Sequence, residues 1–348
     1  MILNKILKIP VVLFDKFQTF ISFLKRYNAD YKRFKSNEDT TRINYIGFSD
    51  SCEADWIKFF SFNNFLPRKF SNYETSSYRP QIEYFSCFSK RTCIKKSHAP
   101  IKIFWTGEDV ENNFTNFSDF LLPYTDISIG FSTYEKIPQQ YRNKYIRYPL
   151  YMNYFFTPYT LKRLPSKDEI AQKIKEINLK KSTCENFCSM VASHDRNGIR
   201  KDIMQLLNKI ETVKSAGKIY HNDDTLFSKF NDNKLDYIHT FMFNICPENT
   251  NVDGYVTEKL FQAFAAGCIP IYKGGGNFLE PGIINPKAII YYTKEIENDV
   301  LEQVQELWTN KSAYNKFILE NKFLPESVDI IYDTIISTKE KFLELLQG

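Results

Sequence analysis

A carboxylate and an amine lie side by side, at Glu258 and Lys259, where the sequence predicts the start of a helix. Apolar side chains at helical spacing over Leu260–Ala265 predict that helix, and Gly267 marks its end. Free N–H groups and the positive end of the dipole favour an anion at a helix start. Lys259 would add a positive charge, and Glu258 would accept hydrogen bonds from sugar hydroxyls. This combination indicates a nucleoside diphosphate site; the alternative is an exposed Glu-Lys pair on a surface helix.

Strands are predicted on both sides of this helix. Thr240–Ile245 is an apolar run with the length of a buried strand, and Cys268–Tyr272 is a second one. The polar loop Pro247–Gly254 connects the first strand to the helix. Strand, loop, helix and strand form one βαβ unit, and ligands on such sheets bind outside the carboxyl ends of the strands.

A second candidate cation, Arg200, is also predicted to lie at the start of a helix. The segment Val191–Arg200 predicts another strand, polar loop and helix start, with Asn197 as the N-cap of a helix over Ile199–Ile210. A positive charge in the first turn opposes the helix dipole by roughly a few tenths of a kcal/mol. It is favourable if a diphosphate lies between Arg200 and the N–H groups. Arg196 is a competing candidate, and a solvated helix residue is the alternative for Arg200.

A lone acid follows a strand nearer the amino terminus. Ile101–Trp105 is predicted to be a strand, Gly107 permits a turn, and Glu108 then projects at the strand's carboxyl end. A partly buried carboxylate with a raised pKa is suited to take a proton from an alcohol. The neighbouring Asp109 adds a like charge that would raise the pKa of Glu108 further. The alternative is that both acids are solvated loop residues.

Several motifs within these segments are shared with a known family. They are Cys246-Pro247-Glu248-Asn249, Tyr255-Val256-Thr257-Glu258-Lys259, Ile269-Pro270-Ile271-Tyr272, the segment Val191–Arg200, and Thr106-Gly107-Glu108-Asp109. Together they resemble the signature of the α-1,3/4-fucosyltransferases, glycosyltransferase family 10. The resemblance covers about Lys102–Gly276. His194 and Asp109 stand where the family usually has Asn.

The resemblance implies an inverting transferase that moves fucose from GDP-fucose to a hydroxyl of a glycan acceptor without a metal. Glu108 would be the base. The residues assigned to the donor are Arg200, Glu248, Asn249, Tyr255, Glu258 and Lys259. The two cations among them would hold the diphosphate, Glu258 would bind ribose or fucose hydroxyls, and Asn249 and Tyr255 would hydrogen-bond or stack on the donor. Glu248 would either contact the donor sugar or order its own loop.

The expected acceptor is N-acetylglucosamine of a surface polysaccharide such as lipopolysaccharide, joined by an α-1,3 linkage. The alternatives are the same fold with another nucleotide sugar, or a glycan-binding or assembly protein that has lost catalysis. Fold alone does not separate these functions.

The length of 348 residues and the alternation of predicted strands and helices indicate an α/β protein with two domains. The resemblance implies that they are Rossmann-like and face a cleft, the glycosyltransferase B architecture. We expect a basic amphipathic segment at 1–40, an acceptor-binding domain at 41–158, and a donor-binding domain with C-terminal helices at 159–348. Further elements expected in the first domain are strands at Arg42–Ser49, Gln81–Cys87 and Asp126–Ile129 and helices at Trp56–Phe62 and Asn116–Leu122.

Composition argues against several classes of function. A net charge of +5 suits an anionic nucleotide or a membrane surface but does not argue for nucleic acid. The seven cysteines include no Cys-x-x-Cys pair and the four histidines no His-x-x-x-His, so neither a disulfide framework nor a metal site is expected. Reduced thiols favour a cytoplasmic location.

The segment Met1–Asp39 carries an apolar helical stripe among basic residues. Charges interrupt it, so it is expected to be neither a transmembrane helix nor a signal peptide. Two interpretations stay open: a helix lying on the inner face of an anionic membrane, and a helix packed on the protein itself.

Overall fold

Two parallel β-sheets form the framework of this computed structural model, which describes residues 21–34 apart from 23, 40–48, 62–158 and 161–346. The strands of the first sheet are β1 (Thr41–Ile46), β2 (Tyr73–Thr75), β3 (Ile82–Phe85), β4 (Ile101–Trp105), β5 (Ile127–Gly130) and β6 (Tyr145–Arg147). They follow the order β2-β1-β3-β4-β5-β6, and every neighbouring pair is parallel. Every residue of β3 and of β5 is buried, as expected for parallel strands covered on both faces.

The second sheet repeats this plan. Its strands are β7 (Asn186–Met190), β8 (Lys214–Ser215), β9 (Phe241–Ile245), β10 (Ile269–Tyr272) and β11 (Ile290–Tyr291). They follow the order β11-β10-β9-β7-β8 and are also parallel throughout. The carboxyl ends of β7 and β9 are therefore neighbours, and the loops that leave them meet at one edge of the sheet.

Helices connect the strands and cover the sheets. They are α1 (Arg91–Lys96), α2 (Lys167–Leu179), α3 (Ile199–Leu207), α4 (Thr225–Ser228), α5 (Lys234–His239), α6 (Glu258–Ala266), α7 (Glu297–Thr309), α8 (Lys311–Ile318) and α9 (Ser327–Leu346). A π-helix spans Met152–Phe156. The helix α6 ends at Gly267, whose φ of 79° is left-handed. Only glycine fits this position, because a Cβ would lie 2.5 Å from the backbone of Lys181.

The structure corrects the sequence analysis at several elements. The four strands that were missed, β2, β6, β8 and β11, are two or three residues long and lie at the sheet edges. Asn116–Leu122 is not an α-helix; a 3-10 helix over Thr115–Phe117 is followed by turns. The N-cap of α3 is Gly198, with φ of 74°, rather than Asn197. The helix predicted at Trp56–Phe62 lies outside the described residues, apart from Phe62.

The C-terminal helix α9 packs beside the first sheet, although the sequence analysis assigned it to the second domain. The Phe342 ring lies 5.7 Å from Phe65, and the Lys341 amine donates to the carbonyl of Tyr145 at 2.8 Å. Apolar residues of both halves of the chain share one cluster. The division at residue 158 stays a prediction.

The amino-terminal segment is described only toward its carboxyl end, where residues 24–34 are helical. Asp30 accepts hydrogen bonds from the N–H and hydroxyl of Ser77, and the Tyr27 and Tyr31 rings pack edge-on against Tyr78. This part of the segment therefore packs on the protein, whereas residues 1–20, on which the membrane prediction largely rests, lie outside the described residues. Among the described helices, none combines the length and apolar character that a membrane crossing needs.

Candidate active site

A cavity of about 240 Å³ opens at the carboxyl ends of β7 and β9. Its charged lining consists of Arg200, Lys234, Lys259 and Glu258, and the remaining wall includes residues 191–194 and 244–247. The structure thus places Arg200 and Lys259, which come from two different strand-loop-helix segments, in the wall of one cavity. Three cations around a cavity of this size favour a ligand with more than one negative charge.

Arg200 is almost fully buried and held in place by backbone and side-chain acceptors. Its guanidinium donates to the carbonyl oxygens of His194 at 3.0 Å and Pro247 at 2.9 Å, and to Oδ1 of Asn249 at 3.1 Å. Burial lowers the pKa of Arg200 below its usual value, but an arginine stays charged at neutral pH. The guanidinium therefore joins the β7 loop rigidly to the β9 loop.

The N–H groups at the start of α3 are already occupied. The Asp195 carboxylate accepts from the backbone N–H of Arg200 at 3.2 Å and of Lys201 at 2.9 Å. The sequence analysis placed a diphosphate between Arg200 and these N–H groups, and the structure contradicts that arrangement.

Lys259 lies one residue inside α6, and its amine is bonded within the protein. It donates to Thr257 Oγ1 at 2.9 Å and to Glu248 Oε2 at 3.1 Å, and Glu258 Oε1 lies 3.5 Å away. Burial works against the charge, but the two carboxylates outweigh it and raise the pKa of Lys259 above its usual value. The amine is therefore a permanent positive charge at the cavity wall.

Glu248 is fully buried below this amine, and its carboxylate accepts four hydrogen bonds. The donors are the Thr257 N–H and hydroxyl, the Lys259 amine and the Tyr272 hydroxyl, at 2.7–3.2 Å. It does not line the cavity. These contacts favour the interpretation in which Glu248 orders its own loop over direct contact with a donor sugar.

Glu258 faces the cavity with its carboxylate ionised. Burial alone would raise its pKa, but the amines of Lys259 and Lys234 outweigh burial and lower the pKa below its usual value. An ionised carboxylate accepts hydrogen bonds only, which matches a role with hydroxyl groups of a ligand.

Of the other two predicted donor residues, one lines the cavity and the other does not. Asn249 lines the cavity, and its carbonyl accepts from the Asn197 side chain at 3.1 Å. Tyr255 is buried, and its ring packs edge-on against Phe131 at 5.0 Å within the apolar cluster of the first sheet. A stacking contact between Tyr255 and a ligand in this cavity is therefore not supported.

Glu108 follows β4 at the carboxyl edge of the first sheet, and its N–H donates to Thr106 Oγ1 at 3.0 Å. Burial raises the pKa of Glu108 above its usual value, and the next influences come from Lys259, Glu258 and Arg196 of the second half. Glu108 does not line the cavity, but Lys259 and Glu258, which do, act on its pKa.

Asp109 does not act on Glu108 as expected. Its carboxylate turns back into its own loop and accepts from the N–H groups of Glu111 at 2.8 Å and Asn112 at 3.1 Å. The larger acidic influences on Glu108 come from Glu258 and Glu248. Asp109 therefore shapes the turn that presents the carboxylate.

Both halves of the chain match sequence models of one protein family. Residues 178–325 match the sequence model of "Glycosyltransferase family 10 (fucosyltransferase) C-term", and residues 43–154 match "Alpha-(1,3)-fucosyltransferase FucT N-terminal domain". The chain belongs to glycosyltransferase family 10. Both cations and the acid on which the sequence analysis relied lie inside the matched ranges.

Relatives within the family agree with this assignment. The chain is 29% identical over 243 residues to the Alpha-(1,3)-fucosyltransferase FucT of Helicobacter pylori, covering 63% of this chain and 47% of that protein. It is 32% identical over 83 residues to a putative fucosyltransferase-like protein of Arabidopsis thaliana, covering 24% and 16%. The chain thus spans less than half the length of these curated relatives.

Solved structures support the fold. A structure described as an α1,3-fucosyltransferase aligns with a TM-score of 0.56 over 88% of this chain and 92% of the other, at 21% identity. A second, described as an α1,3-fucosyltransferase with GDP-fucose, aligns with a TM-score of 0.54 over 86% and 90%, at 21% identity. The predicted two-sheet α/β architecture of glycosyltransferase B form is confirmed.

Two side chains of this family member near the cavity were missed by sequence reasoning. Lys234, the first residue of α5, lines the cavity and donates to Gln262 Oε1 at 2.7 Å. Burial raises the pKa of Tyr154, and Glu258 and Glu108 raise it further, so its hydroxyl is influenced by both carboxylates. A cation opposing a helix dipole was the signal used for Arg200, and the same signal exists at Lys234.

No group of three or more His, Cys, Asp or Glu residues is placed to hold a metal within the described ranges. The expectation of metal-independent transfer therefore stays a prediction.

Proposed function

We propose that this protein transfers fucose from GDP-fucose to a hydroxyl of a glycan acceptor, with inversion at the anomeric carbon. The observation that carries the proposal is the convergence of Arg200, Lys234 and Lys259 on one cavity, with Glu108 electrostatically coupled to its wall. Structural neighbours described as α1,3-fucosyltransferase with GDP and with GDP-fucose support this donor.

The donor would lie in the cavity with its diphosphate among the three cations. Negative charge develops on the β-phosphate as the bond to the sugar breaks, and preorganised positive charges stabilise it. Lys259 suits this role because Glu248 and Thr257 hold its amine in place before the ligand arrives. Glu258 would accept from ribose or fucose hydroxyls, and Asn249 would hydrogen-bond to the donor.

The acceptor would approach from the side of the first sheet. Glu108 takes the hydroxyl proton as the acceptor oxygen forms a bond to C1 of fucose. The bond from C1 to the phosphate oxygen breaks, and its electron pair leaves with GDP. A carboxylate whose pKa is raised by burial is a better base at neutral pH than an ordinary surface acid.

The finer assignments are part of the same proposal. We assign the acceptor to residues 41–158 and the donor to residues 159–348, and we expect an α-1,3 linkage to N-acetylglucosamine of a surface polysaccharide without a metal. A cytoplasmic location with peripheral membrane contact through residues 1–40 is proposed from composition alone.

A thermal-shift series with GDP, UDP and CDP tests the donor. GDP is expected to raise the melting temperature, because a ligand at about 100 times its Kd stabilises the native state by about 2.7 kcal/mol. Transfer assays with a panel of nucleotide sugars then identify the sugar. Equal stabilisation by all three nucleotides, or turnover of a donor other than GDP-fucose, would contradict the proposal.

Lys259→Ala tests the cation directly. We expect GDP affinity to fall by about tenfold to a hundredfold, since a charge-assisted contact contributes about 1.5–3 kcal/mol. Lys209→Ala, which removes an exposed lysine two residues after α3, is the control and should leave GDP affinity unchanged. Unchanged affinity in Lys259→Ala would remove Lys259 from the donor site.

A further inference from the structure

Two phenylalanine rings, Phe88 exposed and Phe114 partly buried, pack together on the first-sheet side of the active site. Phe88 lies three residues after β3, and Phe114 lies in the loop between β4 and β5. Their centroids are 5.1 Å apart and their planes are at 78°. The Phe88 side chain is 63% exposed, more than any other aromatic side chain in the described ranges.

Hydrogen bonds connect the chain at both phenylalanines to the loop that carries Glu108. Cys87, next to Phe88, lies with its Sγ 3.4 Å from Thr106 Oγ1, and that hydroxyl accepts from the Glu108 N–H at 3.0 Å. The Phe114 N–H donates to the carbonyl of Asp109 at 3.2 Å. Phe88 therefore lies in a segment bonded to Thr106, just before Glu108, and Phe114 in a segment bonded to Asp109, just after it.

The same loop contacts the donor half of the molecule. Arg196, in the loop before α3, donates to Asn113 Oδ1 at 3.3 Å, and Asn113 is the residue before Phe114. Arg196 is also one of the charges that act on Glu108. The aromatic pair therefore borders the space between the two sheets.

We propose that the exposed Phe88 ring, held edge to face by Phe114, is the platform on which a pyranose ring of the acceptor stacks, with its reacting hydroxyl toward Glu108. Phenylalanine rings have an electron-rich face that attracts the C–H groups of a sugar, and they present no polar group that competes with the sugar hydroxyls. The exposed face of Phe88 is apolar surface that a sugar ring can cover. This inference rests on the proposed transferase function and deepens it, because it assigns the acceptor contact.

The test separates transfer from donor hydrolysis. Hydrolysis of GDP-fucose uses water as the acceptor and does not need the platform, whereas transfer to N-acetyllactosamine does. Phe88→Ala is expected to raise the KM for N-acetyllactosamine by about tenfold while the hydrolysis rate and the GDP-induced melting shift stay unchanged. Phe88→Tyr, which keeps the ring, should restore the KM.

Phe227→Ala is the matched control, since Phe227 in α4 is 56% exposed and does not line the cavity. An unchanged acceptor KM in Phe88→Ala overturns the platform. A lower melting temperature with an unchanged KM also overturns it and assigns the ring to internal packing. A wild-type protein that neither binds GDP nor hydrolyses GDP-fucose contradicts the transferase function, and the platform with it. Donor hydrolysis with no transfer to N-acetyllactosamine counts against the proposed acceptor and the platform, while the donor assignment stands.

Discussion

Glu108 and Asp109 are neighbours with the same charge and different surroundings. The Asp109 carboxylate is satisfied by the N–H groups of its own turn, whereas Glu108 is partly buried close to the charged cavity wall. The two acids therefore provide a matched pair of variants at one loop. Their chemistry is set by what each carboxylate contacts.

Glu108→Gln is expected to reduce the transfer rate by a factor of about 10² to 10⁴, because an amide cannot take the hydroxyl proton. GDP should still raise the melting temperature of this variant. Asp109→Asn is the control: its amide oxygen can still accept from the turn, and transfer should stay within a few-fold of the wild type. Steady-state kinetics check both. Retained turnover in Glu108→Gln would remove it as the base.

The pH dependence of transfer follows from the same residue. Glu108 acts as a base only when ionised, and burial raises its pKa above the usual value of 4.5. The rate should therefore fall as pH decreases through this raised pKa and should level off above it. A pH profile of kcat/KM measures this limb. A flat profile down to pH 4.5 would show that the group is not required in its ionised form.

The start of α6 is organised by the chain segment that follows β10. The Glu248 N–H donates to the carbonyl of Lys273 at 2.9 Å, and the Gly254 N–H donates to that of Gly275 at 3.1 Å. A Cβ at Gly274 would lie 2.5 Å from Glu248 Cγ. A Cβ at Gly276 would lie 2.2 Å from Asp253 Oδ1, so Gly274 and Gly276 allow the loop before α6 to pack against the strand end.

Gly274→Ala should displace Glu248 and release the Lys259 amine from its fixed position. We expect a loss of roughly 1–3 kcal/mol in the free energy of unfolding, together with weaker GDP binding. Lys273→Ala keeps the backbone hydrogen bond to Glu248 and is the control. Denaturant titration and GDP titration provide the measurements. Full GDP affinity in Gly274→Ala would mean that the site does not depend on this packing.

Across the whole molecule, a buried ion pair joins the two sheets beside the cleft. Arg147, at the end of β6, pairs with Glu280 after β10, and the Tyr151 hydroxyl donates to the same carboxylate at 2.7 Å. The Tyr151 ring stacks on Phe261 of α6 at 4.2 Å. The position of α6 relative to the first sheet, and thus to Glu108, depends on this network.

Arg147→Met would leave the Glu280 carboxylate buried and unpaired, at an expected cost of about 3–5 kcal/mol. Arg147→Met combined with Glu280→Gln should recover much of this stability, yet transfer should stay slow while GDP still binds. Lys167→Met, in the exposed pair with Asp329, is the control and should change stability by less than about 1 kcal/mol. Wild-type transfer by the stable double variant would show that the pair does not position the site.

The elements of the sheets could be predicted where local patterns are strong. β4, β9 and β10 are mostly apolar, and their predicted bounds agree with the structure within one residue. The edge strand β8, Lys214–Ser215, carries no such pattern and is a strand only because it pairs with β7. β11 lies in the apolar run 288–292, but only its pairing with β10 shows which two of these residues form the strand. Asp195 shows the same limit at the site, since its role as a cap of α3 depends on a loop geometry that spacing does not encode.

What the sequence alone determined is the family and the class of fold, and the placement of Arg200 and Lys259 at two strand-to-helix loops of one sheet follows from that class. These conclusions depend on motifs and on the periodicity of apolar residues, which are local. Only the tertiary structure decided that Glu248 supports Lys259, that Lys234 lines the same cavity, and that the chain next to Phe88 bonds to the loop of Glu108. Those facts arise from contacts between segments distant in the chain, and burial and pairing depend on which segments meet.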